Sequence, residues 1–421
     1  MTTPRAATTY DCFAIAAPGL ETLVAHELAT LGVADAKPVP GGVEFRADAA
    51  RLAAVQLRTR TANRVIVRLA TFKAKAFHEL ERAARQVEWT RILPAGAAFR
   101  LRVTCKKSKL YHSDAVAERV AAAIMRGVKG ATFENGIAPD DDADEGDDEA
   151  NSSVAEVPSA AKAKPAETGL PAQLFIVRFD HDECTISADA SGELLHKRGY
   201  RLAVGRAPLR ETLAAAMLIG AEWDPATPLV DPMCGSGTLP IEAAMIARRI
   251  APGLARSFAA ERWPETPAGV WAGARLTAKK EILPKAPAPI VGADRDEGAI
   301  ANALANAKRM GVLGDVEFRC AALSALEVPE SPRGLLVANP PYGVRVGDSR
   351  PLRDLFARLG QVARERCDGW RVALLSADRA LDAQTGLPFT QVLATSNGGI
   401  AVRLVAADVS ARESTRGTRH R

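Results

Sequence analysis

The C-terminal half of the chain alternates short apolar runs with longer stretches in which apolar residues recur every three or four positions. The first pattern predicts buried strands and the second predicts amphipathic helices. Strands are predicted at 229–230, 290–293, 316–318, 335–338 and 372–375, and helices at 209–223, 239–250 and 297–310. This alternation predicts an α/β fold with a mostly parallel sheet covered on both faces and a terminal hairpin over 391–405.

The first part of the chain has a different pattern, in which short alternating strands mix with amphipathic helices. Strands are predicted at 13–16, 43–46, 65–69, 99–103 and 174–179, and helices at 20–31 and 115–124. Residues 134–171 are rich in Asp, Glu, Ala, Pro and Ser, and they contain few large apolar residues. We therefore predict an α+β module that carries a disordered acidic insertion. A basic disordered tail is predicted over 409–421.

Charge and composition narrow the class of protein. The net charge of +5 includes ten acidic residues between Glu134 and Glu156, and without them the remainder carries +15. Such a remainder attracts phosphate backbones, although an ordinary solubilising surface has a similar composition. The chain has no run of eighteen apolar residues and no secretory signal pattern, so we predict a cytoplasmic protein without membrane segments. Its six cysteines are scattered, so neither a metal site nor a disulfide framework is expected.

A predicted strand-to-helix turn with the sequence DPMCGSGT begins at Asp231. Glycines in this turn allow a nucleotide-like cofactor to approach the backbone, and amides at the start of the next helix can donate to it. The following strand ends in GADRD, where Asp294 is placed to accept hydrogen bonds from ribose hydroxyls, whereas Asp296 is expected to cap the next helix. The candidate cofactor-binding residues are Asp231, Pro232, Met233, Cys234, Gly235, Ser236, Gly237, Asp294 and Arg295. A glycine-rich turn without a ligand is the alternative.

Two side chains of this turn have more specific expectations. Asp231 is placed to orient the loop or to meet the ammonium group of an amino-acid-like cofactor. Cys234 is expected to pack or to contact the cofactor rather than to act as a nucleophile, because most unpaired cysteines are simply buried.

A second motif, ANPPYG, follows the strand predicted at 335–338. Its prolines restrict the turn, so the side-chain oxygen of Asn339 and the carbonyl of Pro340 can face one point and hold an exocyclic amine. Such positioning orients the nitrogen lone pair without a strong base. Tyr342 offers a ring on which an extruded base can stack, so the candidate catalytic residues are Asn339, Pro340, Pro341 and Tyr342. Together the two motifs predict methyl transfer from S-adenosylmethionine to a planar nitrogen.

Basic residues alternate with aromatic residues in two stretches of the first part, FKAKAFH from Phe72 and KKSKLYH from Lys106. Amines can contact phosphates while rings stack on bases or sugars, although a solvated protein surface has the same composition. The candidate RNA contacts in this part are Arg58, Arg64, Lys73, Lys75, Lys106, Lys107, Lys109 and Tyr111.

These residues resemble a known family, the class I methyltransferases that carry an N-terminal THUMP domain. The most similar members are the bacterial guanine-N2 methyltransferases of large-subunit ribosomal RNA. The similarity also runs through DASGELLHKRGYR from Asp189 and APLRETLAAA from Ala207, and it covers nearly the whole chain apart from the insertion and the tail. The resemblance implies a ferredoxin-like domain over 1–70, a THUMP RNA-binding domain over 71–190 and a Rossmann-like methyltransferase domain over 191–408.

The same resemblance implies ligands and a partner. S-adenosylmethionine is implied at the Asp231 turn and at Asp294, with Pro208 nearby, and structured RNA is the implied partner, with Arg198 among its contacts. One position departs from the family. Alanine stands at 322, where many relatives place a carboxylate that meets the adenine amino group of the cofactor.

The leading hypothesis is therefore an S-adenosylmethionine-dependent RNA methyltransferase that modifies the exocyclic N2 amine of a guanine in 23S ribosomal RNA. The same motifs suit guanine N2 in transfer RNA or adenine N6 in a nucleic acid. The NPPY turn is also used in protein glutamine methylation. A non-catalytic RNA-binding assembly factor with this fold is a further alternative.

Overall fold

The computed structural model describes residues 9–134, 171–201, 209–341 and 350–409. Positions 135–170 of the predicted acidic insertion and 410–421 of the predicted tail lie outside these ranges. No helix within the described ranges is long and apolar enough to cross a membrane. The chain divides into two compact units. Unit 1 comprises Met1–Leu195 and Gly253–Ala278, and unit 2 comprises His196–Pro252 and Lys279–Arg421.

Unit 1 is built around one mixed sheet. Its strands are β1 (Tyr10–Ile15), β2 (Lys37–Val39), β3 (Gly42–Ala47), β4 (Arg64–Lys73), β5 (Ala98–Lys106), β6 (Thr132–Phe133), β7 (Gln173–Asp180) and β8 (Glu183–Asp189). Its helices include α1 (Glu21–Thr30), α2 (Ala49–Arg58), α3 (Phe77–Ala84) and α4 (Ser113–Gly127). The strand order is β2-β3-β1-β4-β8-β7-β5-β6.

The central strand β4 joins the two halves of this sheet. It pairs with β1 on one side and with β8 on the other. The regions predicted as a ferredoxin-like domain and a THUMP domain therefore share one continuous sheet, and the predicted boundary at residue 70 falls inside β4. The assignment of residues 71–190 to a THUMP domain stays a prediction.

Unit 2 contains the predicted strand–helix alternation. Its strands are β9 (Leu229–Asp231), β10 (Ile290–Asp294), β11 (Val316–Cys320), β12 (Leu335–Ala338), β13 (Arg371–Ser376), β14 (Thr390–Asn397) and β15 (Ile400–Asp408). Its helices include α5 (Glu211–Gly220), α6 (Thr238–Ala247), α8 (Glu297–Met310), α9 (Arg350–Arg366) and α10 (Arg379–Gln384), whereas most of α7 (Val270–Lys280) belongs to unit 1.

The second sheet has the order β11-β10-β9-β12-β13-β15-β14. The five strands from β11 to β13 are parallel, and β15 and β14 form an antiparallel hairpin at one edge. The predicted Rossmann-like sheet with a terminal hairpin is confirmed. The strand order reverses between β9 and β12, and ligands bind beyond the carboxyl ends of strands at such a switch point.

The segment Gly253–Ala278 departs from the prediction, because it belongs to unit 1 although it lies in the sequence of the predicted methyltransferase domain. Phe258, Trp263 and Trp271 are buried in the core of unit 1, and the rings of Trp263 and Tyr10 lie edge to face with centroids 6.1 Å apart. The prediction of one continuous domain is wrong for this segment, because its aromatic side chains find their apolar partners among the strands of unit 1.

Hydrogen bonds define the start of α8 and the chain after β15. Helix α8 begins after Asp296, whose carboxylate accepts hydrogen bonds from the amides of Gly298 and Ala299, so its expected capping role is confirmed. Directly after β15, Val409 is buried, and its amide donates a hydrogen bond to the Trp370 carbonyl at 2.8 Å. Val409, which the prediction assigned to the tail, is therefore part of the packed interior of unit 2.

Candidate functional site

The two predicted cofactor motifs meet at the carboxyl edge of the second sheet. The Gly235 amide donates a 2.9 Å hydrogen bond to Oδ2 of Asp294, and the Cys234 amide donates to the Ala293 carbonyl at 2.9 Å. The other carboxylate oxygen of Asp294 accepts the Asp296 amide at 3.0 Å. Each carboxylate oxygen has a second lone pair, so Asp294 can hold the loop and still accept hydrogen bonds from two hydroxyl groups.

The two glycines of the turn have different roles. Gly237 has φ 85°, and a β-carbon there would lie 3.0 Å from Cβ of Ala303 and 3.1 Å from the ring of Phe318. Gly235 has φ 52°, and a β-carbon there would meet no atom within 4 Å. Of the two, Gly235 therefore matches the predicted close approach of a cofactor, whereas Gly237 is required for packing against α8 and β11.

Asp231 is a buried carboxylate at the end of β9. Its Oδ1 accepts the Met233 amide at 3.1 Å, and no cation of the described ranges forms an ion pair with it. Burial raises the pKa of Asp231 to about 8, the Asp294 carboxylate adds to the rise, and the Met233 amide offsets only part of it. A buried carboxylate that lacks a countercharge fits the ammonium group of an amino-acid-like cofactor.

Cys234 has the environment of a structural thiol. Its side chain is buried, and burial together with the nearby carboxylates of Asp231 and Asp294 raises the pKa of the thiol far above its usual range. Since the thiolate is the nucleophilic form, this environment disfavours covalent catalysis by Cys234.

Asn339 follows β12, the strand that lies beside β9 at the switch point. Because Leu336 is opposite Val230 in the parallel pairing, Asn339 lies two residues beyond the level of Asp231, which corresponds to about 7 Å along the strand. The Oδ1 atom of Asn339 is buried and has no hydrogen-bond partner among the described residues. Buried polar atoms are seldom left unpaired, because each costs free energy. This oxygen is therefore a place where a ligand donor fits.

The other predicted residues near the site differ in accessibility. Pro340 is buried, Pro341 and Arg295 are exposed, and Tyr342 and Pro208 lie outside the described ranges. Ala322 is exposed just after β11. As the sequence indicated, this position has no carboxylate that could meet the adenine amino group of a cofactor.

Two predicted RNA contacts are buried and paired. Arg64 forms an ion pair with Asp189, and both side chains are inaccessible to solvent. Arg198 lies 3.4 Å from Glu242 in a second buried pair. An RNA phosphate cannot reach either guanidinium group, so these two predictions are wrong. Both charges are tolerated inside the protein because each has a carboxylate partner.

The five predicted lysines gather where β4 and β5 end in unit 1. Lys73 ends β4 opposite Glu183 of β8, and Lys106 ends β5 opposite Asp180 of β7. We call the set the lysine edge; it comprises Lys73, Lys75, Lys106, Lys107 and Lys109, all exposed.

The turn between β7 and β8 holds the lysine edge together. The Asp182 carbonyl accepts the Ala74 amide at 3.0 Å, and the Asp182 carboxylate accepts the Lys109 amide at 2.7 Å. Lys107, His181 and Asp182 have positive φ angles of 47°, 50° and 65°. Such conformations are strained for residues other than glycine and cluster at functional sites.

Two further predicted RNA contacts lie on elements of the same unit. Tyr111 is 66% exposed, and its ring centroid lies 4.0 Å from that of His112. Arg58 is the last residue of α2 and is half-buried.

Two residues that support the Gly235 turn were not identified from the sequence. Asn306 of α8 is buried, and its Nδ2 donates to the Ser236 carbonyl at 3.0 Å. The ring of Phe318 lies within 3.1 Å of the β-carbon positions of both Gly237 and Gly292. No local pattern singles out either residue, because each acts on chain positions far away in the sequence.

Comparison with known proteins identifies relatives along most of the chain. A family model described as RMKL-like, methyltransferase domain matches residues 198–404, and one described as RlmL ferredoxin-like domain matches residues 11–66. The protein slr0064 of Synechocystis sp., named as an RNA methyltransferase, is 32% identical over 96% of this chain and 98% of its own length.

Two further similar proteins have a named RNA substrate or a bound ligand. The ribosomal RNA large subunit methyltransferase K/L of Syntrophotalea carbinolica is 33% identical over 94% of this chain, which spans 53% of that longer protein. The solved structure of SMU.472, a methyltransferase complexed with SAH, superimposes with a TM-score of 0.79 at 27% identity, over 96% of this chain and 98% of that one.

Proposed function

This chain belongs to the RMKL-like family of S-adenosylmethionine-dependent RNA methyltransferases, and we propose that it methylates the exocyclic N2 amine of a guanine in 23S ribosomal RNA. The observation that carries the proposal is the unpaired Oδ1 of Asn339 beside the switch point of the sheet. An exocyclic amine donates two hydrogen bonds and matches this acceptor. The longer relative is named as a large-subunit ribosomal RNA methyltransferase, which supports 23S ribosomal RNA as the proposed substrate.

The residues around the Gly235 turn fit the cofactor. Bound S-adenosylmethionine supplies an electrophilic methyl group. Asp231 would hold the ammonium group, because its buried carboxylate lacks a countercharge among the described residues. Asp294 would accept hydrogen bonds from the ribose hydroxyls, and the space beside Gly235 leaves room for the ligand next to the backbone. Ala322 provides no carboxylate for adenine at the family's usual position, and a backbone amide could make that contact instead.

Asn339 and Pro340 would orient the target nitrogen. The amide oxygen of Asn339 accepts one amine hydrogen and the Pro340 carbonyl accepts the other, which directs the nitrogen lone pair away from the turn. The two oxygens also stabilise the positive charge that develops on the nitrogen as the new bond forms. Neither oxygen keeps the proton, which leaves to solvent. Tyr342 would stack on the extruded base.

The lysine edge would bind the RNA backbone. Its five exposed amines present positive charge along one sheet edge, and the exposed ring of Tyr111 offers a stacking surface. Such contacts add affinity for structured RNA without reading its sequence. A ribosomal RNA substrate also supports the predicted cytoplasmic location.

Methyl transfer to fractionated RNA tests the proposal. The protein is incubated with cofactor labelled in the methyl group and with unmodified 23S RNA or transfer RNA, and the RNA is digested to nucleosides. We expect N2-methylguanosine from 23S RNA. Label in N6-methyladenosine or in transfer RNA would support an alternative target. RNA binding without any label would support a non-catalytic assembly factor.

A further inference from the structure

Residues 196–201, at the start of unit 2, contact α6, the helix that follows the Gly235 turn. Arg198 pairs with Glu242 of α6 at 3.4 Å, and both side chains are almost inaccessible. Arg201 donates hydrogen bonds to the Thr238 hydroxyl, at the first residue of α6, and to the Leu209 carbonyl at 3.0 Å. The segment is therefore attached at both ends to elements that surround the loop.

A second set of contacts connects the same segment to the loop backbone. The Tyr200 carbonyl accepts a 2.6 Å hydrogen bond from Nε of Arg309, and the guanidinium group of Arg309 also donates to Oδ1 of Asn306. Asn306 is 3% exposed, and its Nδ2 donates to the Ser236 carbonyl at 3.0 Å. Ser236 lies between the two glycines of the turn, so these contacts end on the loop itself.

We propose that Asn306 is a positioning residue for S-adenosylmethionine. Together with Arg309 and residues 198–201 it forms a loop brace that holds the Ser236 carbonyl in place before the ligand arrives. The inference rests on the proposed role of the Gly235 turn as the cofactor loop. A loop that is already ordered loses less conformational entropy on binding, so the brace raises affinity without touching the ligand.

The variant Asn306→Asp tests the donor directly. The aspartate keeps an oxygen for Arg309 but replaces the donor amide with an oxygen that faces the Ser236 carbonyl. Asn302→Asp is the matched control, because Asn302 lies one turn earlier on the same helix and is exposed. S-adenosylhomocysteine affinity is measured by calorimetry, thermal unfolding is followed without ligand, and RNA affinity is measured separately.

We expect Asn306→Asp to weaken S-adenosylhomocysteine binding about five- to tenfold. This factor corresponds to the loss of the hydrogen bond to Ser236 together with repulsion between the two oxygens. The control should bind as the wild type does. The KM for S-adenosylmethionine should rise by a similar factor, while kcat at saturating cofactor and RNA affinity stay within about twofold. A purely structural role would instead lower the melting temperature and leave the affinity of the folded fraction unchanged.

Arg309→Met provides a second test, because the Arg309 side chain is near the surface and its loss is tolerated more easily. It removes the contacts to Tyr200 and Asn306, so ligand affinity should also fall. Wild-type affinity in folded Asn306→Asp or in Arg309→Met overturns the loop brace. Failure of the wild-type protein to bind S-adenosylhomocysteine would instead contradict the proposed cofactor site.

Discussion

A β-carbon added to Gly237 would lie 3.0 Å from Cβ of Ala303 on α8. The same addition at Gly235, two residues earlier, would meet no atom within 4 Å. The glycine-rich turn therefore combines a packing position with a position open to a ligand. The two glycines look equivalent in the sequence motif, but we expect substitutions at the two positions to have different effects on stability and on ligand affinity.

Alanine substitutions at these glycines should have different effects. Both positions have positive φ, which costs an L-residue about 1–2 kcal/mol. Gly237→Ala adds a steric clash and should lower the melting temperature further than Gly235→Ala does. Gly235→Ala should mainly weaken S-adenosylhomocysteine binding, because its methyl group enters the open space. Thermal unfolding and calorimetry on both variants check the assignment, and equal losses of stability would contradict it.

Asn339→Ala should lower the rate of methyl transfer about 100- to 1,000-fold, because the acceptor that orients the target amine is lost. RNA affinity and S-adenosylhomocysteine affinity should change little. Single-turnover transfer of labelled methyl groups measures the chemical step. Asn302→Ala, at an exposed position, is the control. Full turnover by Asn339→Ala would refute the assigned mechanism.

Asp231→Asn should change the pH dependence of stability. The pKa of Asp231 rises from 3.8 to about 8 on folding, so its contribution to the free energy of unfolding is fully present below pH 4. That contribution is lost as pH rises toward 8, because the unfolded chain ionises first. Relative to wild type, Asp231→Asn should therefore become more stable between pH 4 and pH 8. Melting temperatures measured without ligand across this range test the sign, and parallel curves would show that the burial of this charge has no cost.

Removal of two lysines from the lysine edge should weaken RNA binding. The double variant Lys73→Ala with Lys106→Ala loses two phosphate contacts, so the slope of log affinity against log salt should fall by roughly 1.5. Cofactor affinity should stay unchanged. Lys279→Ala with Lys280→Ala removes the same charge from exposed positions elsewhere and serves as the control. Equal loss of RNA affinity in both double variants would indicate a nonspecific charge effect.

The strands and helices that position the Gly235 turn were predictable from the sequence. Helix α8 was predicted with its observed bounds, because Asp296 caps its start and its apolar residues keep helical spacing. Strand β12 is a short, fully apolar run, and β10 carries no polar side chain before its last residue, Asp294, as expected inside a parallel sheet. Neighbouring residues carry these signals, so no knowledge of the tertiary structure was needed.

The errors arose where the decisive partner is distant in the sequence. Arg64 looks like one more cation in a basic run, but Asp189, 125 residues later, buries it in an ion pair. Asn306 looks like a polar residue on a helix, but its partner Ser236 lies 70 residues earlier. Local composition cannot distinguish a solvated charge from a buried and paired one, because the difference lies in the tertiary contacts.

The position of Gly253–Ala278 in the sequence, after the first segment of unit 2, affects when unit 1 can fold during synthesis. A ribosome releases the chain from its N-terminus, and domains usually fold as their last residue emerges. Phe258, Trp263 and Trp271 join the core of unit 1 only after the first segment of unit 2, His196–Pro252, has been synthesised. Until then the nascent chain exposes the apolar surface that those rings later cover. Cotranslational folding of unit 1 should therefore finish late, and a fragment that ends at residue 195 should need assistance to remain unaggregated.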